Sequence, residues 1–130
     1  MPLLLDTSVA VDLIDDSRRI TERRHQYGEE IFLSVISRIE LEAGVYRGGM
    51  LDRGLRARVD ELIDRLEELP FTSREVAAYS AIIAAKGFSR RLVVDRMIAA
   101  TALAHNLTLA TLNPRDFLNV PGLTVDDWST

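Results

Sequence analysis

The sequence predicts an α/β fold, a mainly parallel central sheet flanked by helices, on three observations. Short apolar segments of strand character occur at residues 3–5, 31–35 and 107–111. Stretches with the periodicity of amphipathic helices separate them, so strand and helix alternate throughout. No repeat, low-complexity segment or linker interrupts the 130 residues, and a single domain over 1–130 is expected.

Leu3-Leu4-Leu5 reads as a buried strand that stops at Asp6, after which Val9, Leu13 and Ile14 follow at helical spacing. Residues 18–27 read as a second helix stopped by Gly28. Ile31-Phe32-Leu33-Ser34-Val35, β-branched and aromatic, is the next strand, followed by a helix over 37–46 and a break at Gly48-Gly49. The helix over 51–68 has the plainest pattern. Leu51, Leu55, Val59, Leu62, Ile63, Leu66 and Leu69 form one apolar stripe opposite arginines and acids. Pro70 stops it, and residues 69–72 read as a short strand. Thr72-Ser73-Arg74-Glu75 has the form of a capping box for a helix that carries Val76, Tyr79, Ile82 and Ile83 to Gly87. Leu92-Val93-Val94 leads into Asp95 and a helix ending near Asn106. Residues 107–111 are a strand, Asn113-Pro114 a turn, and Leu123-Thr124-Val125 a last strand, which Trp128 is expected to pack down.

Apolar residues at 47% and charged residues at 28% fit an ordinary globular chain. The longest apolar runs, such as Met97-Ile98-Ala99-Ala100, are too short to cross a bilayer, so no membrane partner is expected. Met1-Pro2-Leu3-Leu4-Leu5-Asp6 carries no basic leader, which argues against a signal peptide. The absence of cysteine excludes disulfides, thiol catalysis and zinc–thiolate sites, and the expected compartment is the cytoplasm. A net charge of −4 argues against a protein that coats nucleic acid, an objection that weakens if several carboxylates converge on a divalent cation. Lys86 is the only lysine among 16 cationic residues, leaving 15 arginines. Arginine suits bidentate phosphate contact, and biased codon usage explains the count equally well.

Four acids stand out. Asp6, Asp95 and Asp116 each follow a short apolar or β-like segment, and Glu40 opens the helix after one. In open α/β sheets ligands collect at the carboxyl ends of strands, where scattered side chains can meet. Carboxylates with few histidines suit hard cations such as Mg²⁺ or Mn²⁺, which can activate water for attack on phosphorus. Taken singly, each acid also reads as structural. Asp6 or Ser8 can cap the first helix, Ser37-Arg38-Ile39-Glu40 is a good capping box, Asp95 can be an N-cap, and Asp116 is a typical turn residue. His25 and His105 lie outside all four segments and receive no role.

The residues around the acids carry a resemblance. Leu3-Leu4-Leu5-Asp6-Thr7-Ser8-Val9 resembles the opening motif of PIN-domain proteins, a hydrophobic strand delivering an aspartate followed by Thr or Ser. Ser37-Arg38-Ile39-Glu40-Leu41-Glu42-Ala43-Gly44 resembles their second motif, and Asp95-Arg96-Met97-Ile98-Ala99-Ala100-Thr101-Ala102 their third. Thr111-Leu112-Asn113-Pro114-Arg115-Asp116-Phe117 is similar to the fourth. No single motif is specific, but the four occur in family order across essentially the whole chain.

At this length the resemblance is to the VapC-like toxins of toxin–antitoxin pairs. It implies a metal-dependent endoribonuclease using Mg²⁺, with Mn²⁺ as a substitute, that acts on RNA. A homodimer and a small cognate antitoxin are implied as well. It also implies that Asp6, Glu40, Asp95 and Asp116 form the catalytic, metal-binding site, with Ser8, Thr111 and Asn113 as supporting polar residues.

Arg90, Arg91, Arg96 and Arg115 lie close in sequence to Asp95 and Asp116 and are candidates for RNA phosphate contact. Neutralising nearby acids or meeting acidic residues of an antitoxin is an equal alternative. Glu42 falls about 200° around the helix from Glu40 and reads as solvated or salt-bridged. Asp12, Asp15 and Asp16 read as surface charge. The stripe over 51–69, with Tyr46 and Met50 before it, reads as core or as a groove for an antitoxin segment.

Competing functions differ by small signals. A phosphoaspartate hydrolase also ends its first strand on an aspartate but wants a second two residues on, where this chain has Ser8. A receiver-like signalling domain needs a late strand-end lysine, whereas Lys86 ends a helix. A non-toxin PIN-domain RNA-processing nuclease and a catalytically silent protein-binding domain are further alternatives, the presence of all four acids favouring an active enzyme.

Overall fold

The computed structural model describes residues 2–26 and 30–130. Five strands, β1 (Leu3–Leu5), β2 (Ile31–Ser34), β3 (Glu67–Leu69), β4 (Thr108–Thr111) and β5 (Val125–Asp127), form one sheet in the order β3-β2-β1-β4-β5. All four pairings are parallel, with Leu4 opposite Phe32 on one side and Leu109 on the other. Parallel neighbours need crossover connections, and the helices supply them: α1 (Thr7–Ile14), α2 (Arg18–His25), α3 (Val35–Val45), α4 (Arg53–Arg65), α5 (Ser73–Lys86) and α6 (Val93–Ala104).

The three leucines of β1 are buried on both faces because the pleat sends alternate side chains to opposite layers. Leu3 and Leu5 pack with Val9 and Ala10 of α1, Leu41 and Val45 of α3 and Val59 and Leu62 of α4. Leu4 points the other way, into a cluster with Ile82 of α5 and Ile98, Ala99, Ala100 and Ala102 of α6. Two cores therefore sandwich one sheet, and the central strand is pinned from both sides.

Several boundaries differ from the sequence expectation. The third helix starts at Val35 rather than Ser37, because Ser34 is its N-cap and accepts from the Ile36 amide at 3.0 Å. The fourth starts at Arg53 with Asp52 as its cap and stops at Arg65, since residues 67–69 join the sheet beside β2. Pro70 thus follows a strand instead of ending a helix. The pairing of Glu67 and Glu68 with Phe32 and Leu33 outweighs their weak strand preference. Leu92-Val93-Val94 is not strand-like, because Val93 and Val94 are already the first turn of α6. The last strand lies two residues later than read.

The capping box at Thr72 and Glu75 is present. Glu75 is 1% exposed and also meets His105 Nε2 at 2.8 Å. Burial favours its neutral form, but the Thr72 hydroxyl and amide and His105 outweigh that and hold the carboxyl at about 2. Trp128 is fully buried, donates Nε1–H to Asp126 Oδ2 at 3.0 Å and carries the Arg23 guanidinium over its ring. The expected end of the second helix at Tyr27 and Gly28 lies outside the described residues. Among the described residues, no helix is long and apolar enough to cross a membrane.

Candidate active site

The chain winds outward from β1 through β2 to β3, then returns to the other side of β1 as β4 and β5. The order reverses between β1 and β4, and such a switch point leaves a crevice beyond the carboxyl ends of the two strands. Asp6 is the first residue after β1, and its amide donates to the Ala110 carbonyl of β4 at 2.8 Å. That bond fixes the Asp6 backbone at the carboxyl end of β1, beside β4.

Asp6 caps α1 by accepting from the Thr7 amide through Oδ1 at 2.8 Å. Its other oxygen, Oδ2, accepts from the Ser8 hydroxyl at 2.9 Å and from the Thr111 hydroxyl at 2.7 Å. The structural and functional readings of this residue are thus compatible, since one oxygen caps and the other is steered. Burial raises the Asp6 carboxyl above its ordinary range, and the three donors oppose that rise. Ser8 also accepts from the Leu112 amide at 3.2 Å, which ties α1 to the end of β4. Asn113 contributes backbone: its amide donates to Thr111 Oγ1 at 3.0 Å and its carbonyl accepts from Asp116 at 3.1 Å.

Glu40 is exposed on the second turn of α3. It is not the acid of a capping box, because Ser34 rather than Ser37 caps the helix. It accepts instead from the Thr7 hydroxyl, at 2.5 Å. Asp95 is half-buried in the first turn of α6, where Leu92 rather than Asp95 is the N-cap. Asp116 sits in a short 3-10 turn, Pro114–Phe117, with Arg91 Nη1 4.0 Å from its carboxylate.

The structure brings the four acids into one electrostatic neighbourhood. Burial first, and then the charges of Asp6, Asp116 and Glu40, push the Asp95 carboxyl up to about 6, against the opposing pull of Arg91. A cluster of like charges held together by the fold is a demand for a counter-charge. Its donors are all oxygens, the set a hard divalent cation prefers. Among the described residues no three acidic or histidine side chains close around a single point.

A groove of about 670 Å³ runs between α1, α3 and α4, lined by Val11, Ile14, Leu41, Arg47 and Leu55 and ending at Thr7 and Glu40. Of the four acids, Glu40 is among its lining residues, and Asp6, Asp95 and Asp116 are not. Of the stripe over 51–69, Val59, Leu62, Leu66 and Leu69 are core and Leu51 is exposed, as are Tyr46 and Met50 before it. Arg90, Arg91 and Arg115 are exposed, Arg91 facing Asp116, and Arg96 donates to the Gly87 carbonyl at 2.7 Å. Glu42 is ion-paired with Arg56, which holds its carboxyl below the ordinary range.

Two residues at the site received no site role from the sequence, Thr7 and Ser37. Thr7 Oγ1 lies 2.8 Å from Ser37 Oγ. The signal for Thr7 was its position between Asp6 and Ser8. Ser37 was hidden by its good fit to a helix cap.

Residues 3–123 match the PIN domain family. The chain is 32% identical over 130 residues to the ribonuclease VapC1 of Rickettsia felis, with 96% of this chain and 95% of that protein covered. It is 30% identical over 132 residues to the tRNA(fMet)-specific endonuclease VapC of Salmonella typhimurium, covering 98% of each. Its fold is similar to that of a crystal structure of DNA-bound VapBC from Salmonella typhimurium, with a TM-score of 0.84, 28% identity and 98% of each chain covered. VapBC2 from Rickettsia felis, bound to a DNA fragment from the promoter, gives a TM-score of 0.83 at 25% identity, with 98% of this chain and 99% of that one covered.

Proposed function

The chain belongs to the PIN domain family, and from that premise we propose that it is a VapC-type endoribonuclease, the toxin of a toxin–antitoxin pair. Its reaction is hydrolysis of RNA phosphodiester bonds at an acidic site made by Asp6, Glu40, Asp95 and Asp116 with Mg²⁺, Mn²⁺ being a substitute. One observation carries the reading: acids from four separate segments act on one another, so that the Asp95 carboxyl, raised first by burial, is pushed further by Asp6, Asp116 and Glu40, to about 6. Four independent helix caps and turns would give no such coupling.

Asp6 and Asp95, the more enclosed of the four, would hold the cation, with Glu40 and Asp116 completing the negative rim. The bound cation would supply positive charge for the scissile phosphate and lower the pKa of a water for attack. The protein's own contribution is orientation. Ser8, Thr111 and the Thr7 amide fix both oxygens of Asp6, so the carboxylate needs no reorganisation when substrate arrives. The exposed Arg90, Arg91 and Arg115 are suited to RNA phosphates on the rim. Arg96, already bonded to Gly87, is the least available of the four.

The groove between α1, α3 and α4 is suited to a segment of a small antitoxin, because Val11, Ile14, Leu41, Leu55 and Val59 line it together with the charged Asp15, Glu40, Arg47 and Asp52. The protein would act as a homodimer in the cytoplasm, silenced by that partner. Expression alone should slow bacterial growth, and co-expression of a cognate antitoxin should restore it. Harmless expression of a folded, RNA-cleaving protein would favour the non-toxin RNA-processing role instead.

A further inference from the structure

We infer that Thr7 is a positioning residue for Glu40 and that the buried Ser37 hydroxyl sets its direction, an inference that rests on the reading of Glu40 as a site acid. The geometry is a chain of three oxygens. Thr7 Oγ1 lies 2.8 Å from Ser37 Oγ and 2.5 Å from Glu40 Oε1. Each hydroxyl has one hydrogen, and a carboxylate can only accept. The Thr7 hydrogen therefore goes to Glu40, which leaves the Ser37 hydroxyl to donate to Thr7. The relay runs one way, from Ser37 to Thr7 to Glu40.

Each member is suited to its place. Ser37 is fully buried in the first turn of α3, and the cap of that helix is already provided by Ser34. Its hydroxyl is thus free of capping duty and shielded from competing water. Thr7 is β-branched, so its χ1 is stiff, and its amide is fixed by Asp6 Oδ1 at 2.8 Å. Glu40 is exposed and long, the side chain of the four acids with the most freedom to lose. A charge-assisted bond from a rigid hydroxyl is a strong restraint on it.

The consequence is a division of labour within Asp6-Thr7-Ser8. The Ser8 hydroxyl steers Asp6, while the Thr7 hydroxyl reaches across to α3 and steers Glu40. Residue 7 touches two acids at once, one through its main chain and one through its side chain. It therefore fixes the separation of Asp6 from Glu40, which neither helix does alone.

The test compares Thr7→Val, which keeps shape but loses the hydroxyl, with Thr7→Ser, which keeps the hydroxyl. Cleavage of a single-stranded RNA gives kcat and KM, and the Mn²⁺ concentration that half-saturates the shift of the denaturation midpoint gives a readout independent of turnover. Thr7→Val should lower kcat about tenfold or more with KM little changed, and should raise that Mn²⁺ concentration about tenfold, as loss of an outer partner of a metal site does. Thr7→Ser should recover both, Ser37→Ala should give a smaller loss of the same kind, and Thr7→Val should add nothing to Glu40→Gln. Parent-like behaviour of Thr7→Val beside a dead Glu40→Gln overturns the inference, as does failure of Thr7→Ser to rescue. If Thr7→Val does not fold, Ser37→Ala decides: parent-like values on both readouts overturn the relay. Parent-like cleavage by Glu40→Gln overturns it too, and Asp6→Asn then tells whether the rest of the acid site stands.

Discussion

Replacing Asp95 with asparagine removes one negative charge at nearly constant shape, and the sign of its effect on stability follows from proton linkage. In the metal-free fold the Asp95 carboxyl sits at about 6, against 3.8 ordinarily, because it is buried and faces Asp6, Asp116 and Glu40. Between those values the folded chain holds a proton that the unfolded chain has released. Metal-free stability therefore falls as pH rises from about 4 to about 6, and the penalty is fully present above that. At about 1.36 kcal/mol per tenfold change in proton affinity the displacement amounts to roughly 3 kcal/mol. Solvent reaches this half-buried carboxylate, and screening reduces the figure to about 1–2 kcal/mol. Asparagine also loses the favourable charge in the first turn of α6, about 0.5 kcal/mol. Asp95→Asn should thus raise metal-free stability by about 1 kcal/mol at pH 7.5 and have no effect near pH 4. Mn²⁺ at a hundredfold excess over Kd should stabilise the parent by about 2.7 kcal/mol and the variant far less. Urea midpoints at both pH values, with Mn²⁺ and with chelator, measure all of this. A variant less stable than the parent in chelator at pH 7.5, or one with an equal Mn²⁺ response, refutes the reasoning.

Glu75→Ala should cost about 2 kcal/mol by removing the capping box and leaving His105 without its buried partner, seen as a lowered urea midpoint. Because the Glu75 carboxyl is held at about 2, its contribution is present above about 4.5 and is lost as pH falls towards 2, so parent and variant midpoints should converge in acid. Trp128→Ala should cost about 3–5 kcal/mol, since the ring is fully buried and both its Nε1 bond and its stacking with Arg23 are lost. A thermal midpoint within a few degrees of the parent would contradict that packing role.

Much of the architecture was legible because alternation is a strong signal: an apolar strand ending on a polar residue, then a stripe at helical spacing, repeated. The boundaries that moved did so through contacts no local pattern carries. Glu67 and Glu68 lie in a strand only because β2 offers them a partner, and Val93 and Val94 look extended but begin a helix packed on α5 and the sheet. Asp6 was legible from its strand. Glu40 was legible only by resemblance, because Ser37-Arg38-Ile39-Glu40 fits a capping box that the fold does not use. Thr7 and Ser37 are 30 residues apart in sequence, and their meeting depends on α1 and α3 packing on the same face of the sheet.

Cleavage of RNA by purified parent and Asp6→Asn protein, each with Mg²⁺ and with chelator, tests the central claim most directly. The account predicts specific cleavage by the parent in Mg²⁺, none in chelator, and none by Asp6→Asn despite an unchanged far-UV circular dichroism spectrum. Cleavage by Asp6→Asn at the parent rate, or cleavage by the parent that chelator leaves untouched, would contradict it.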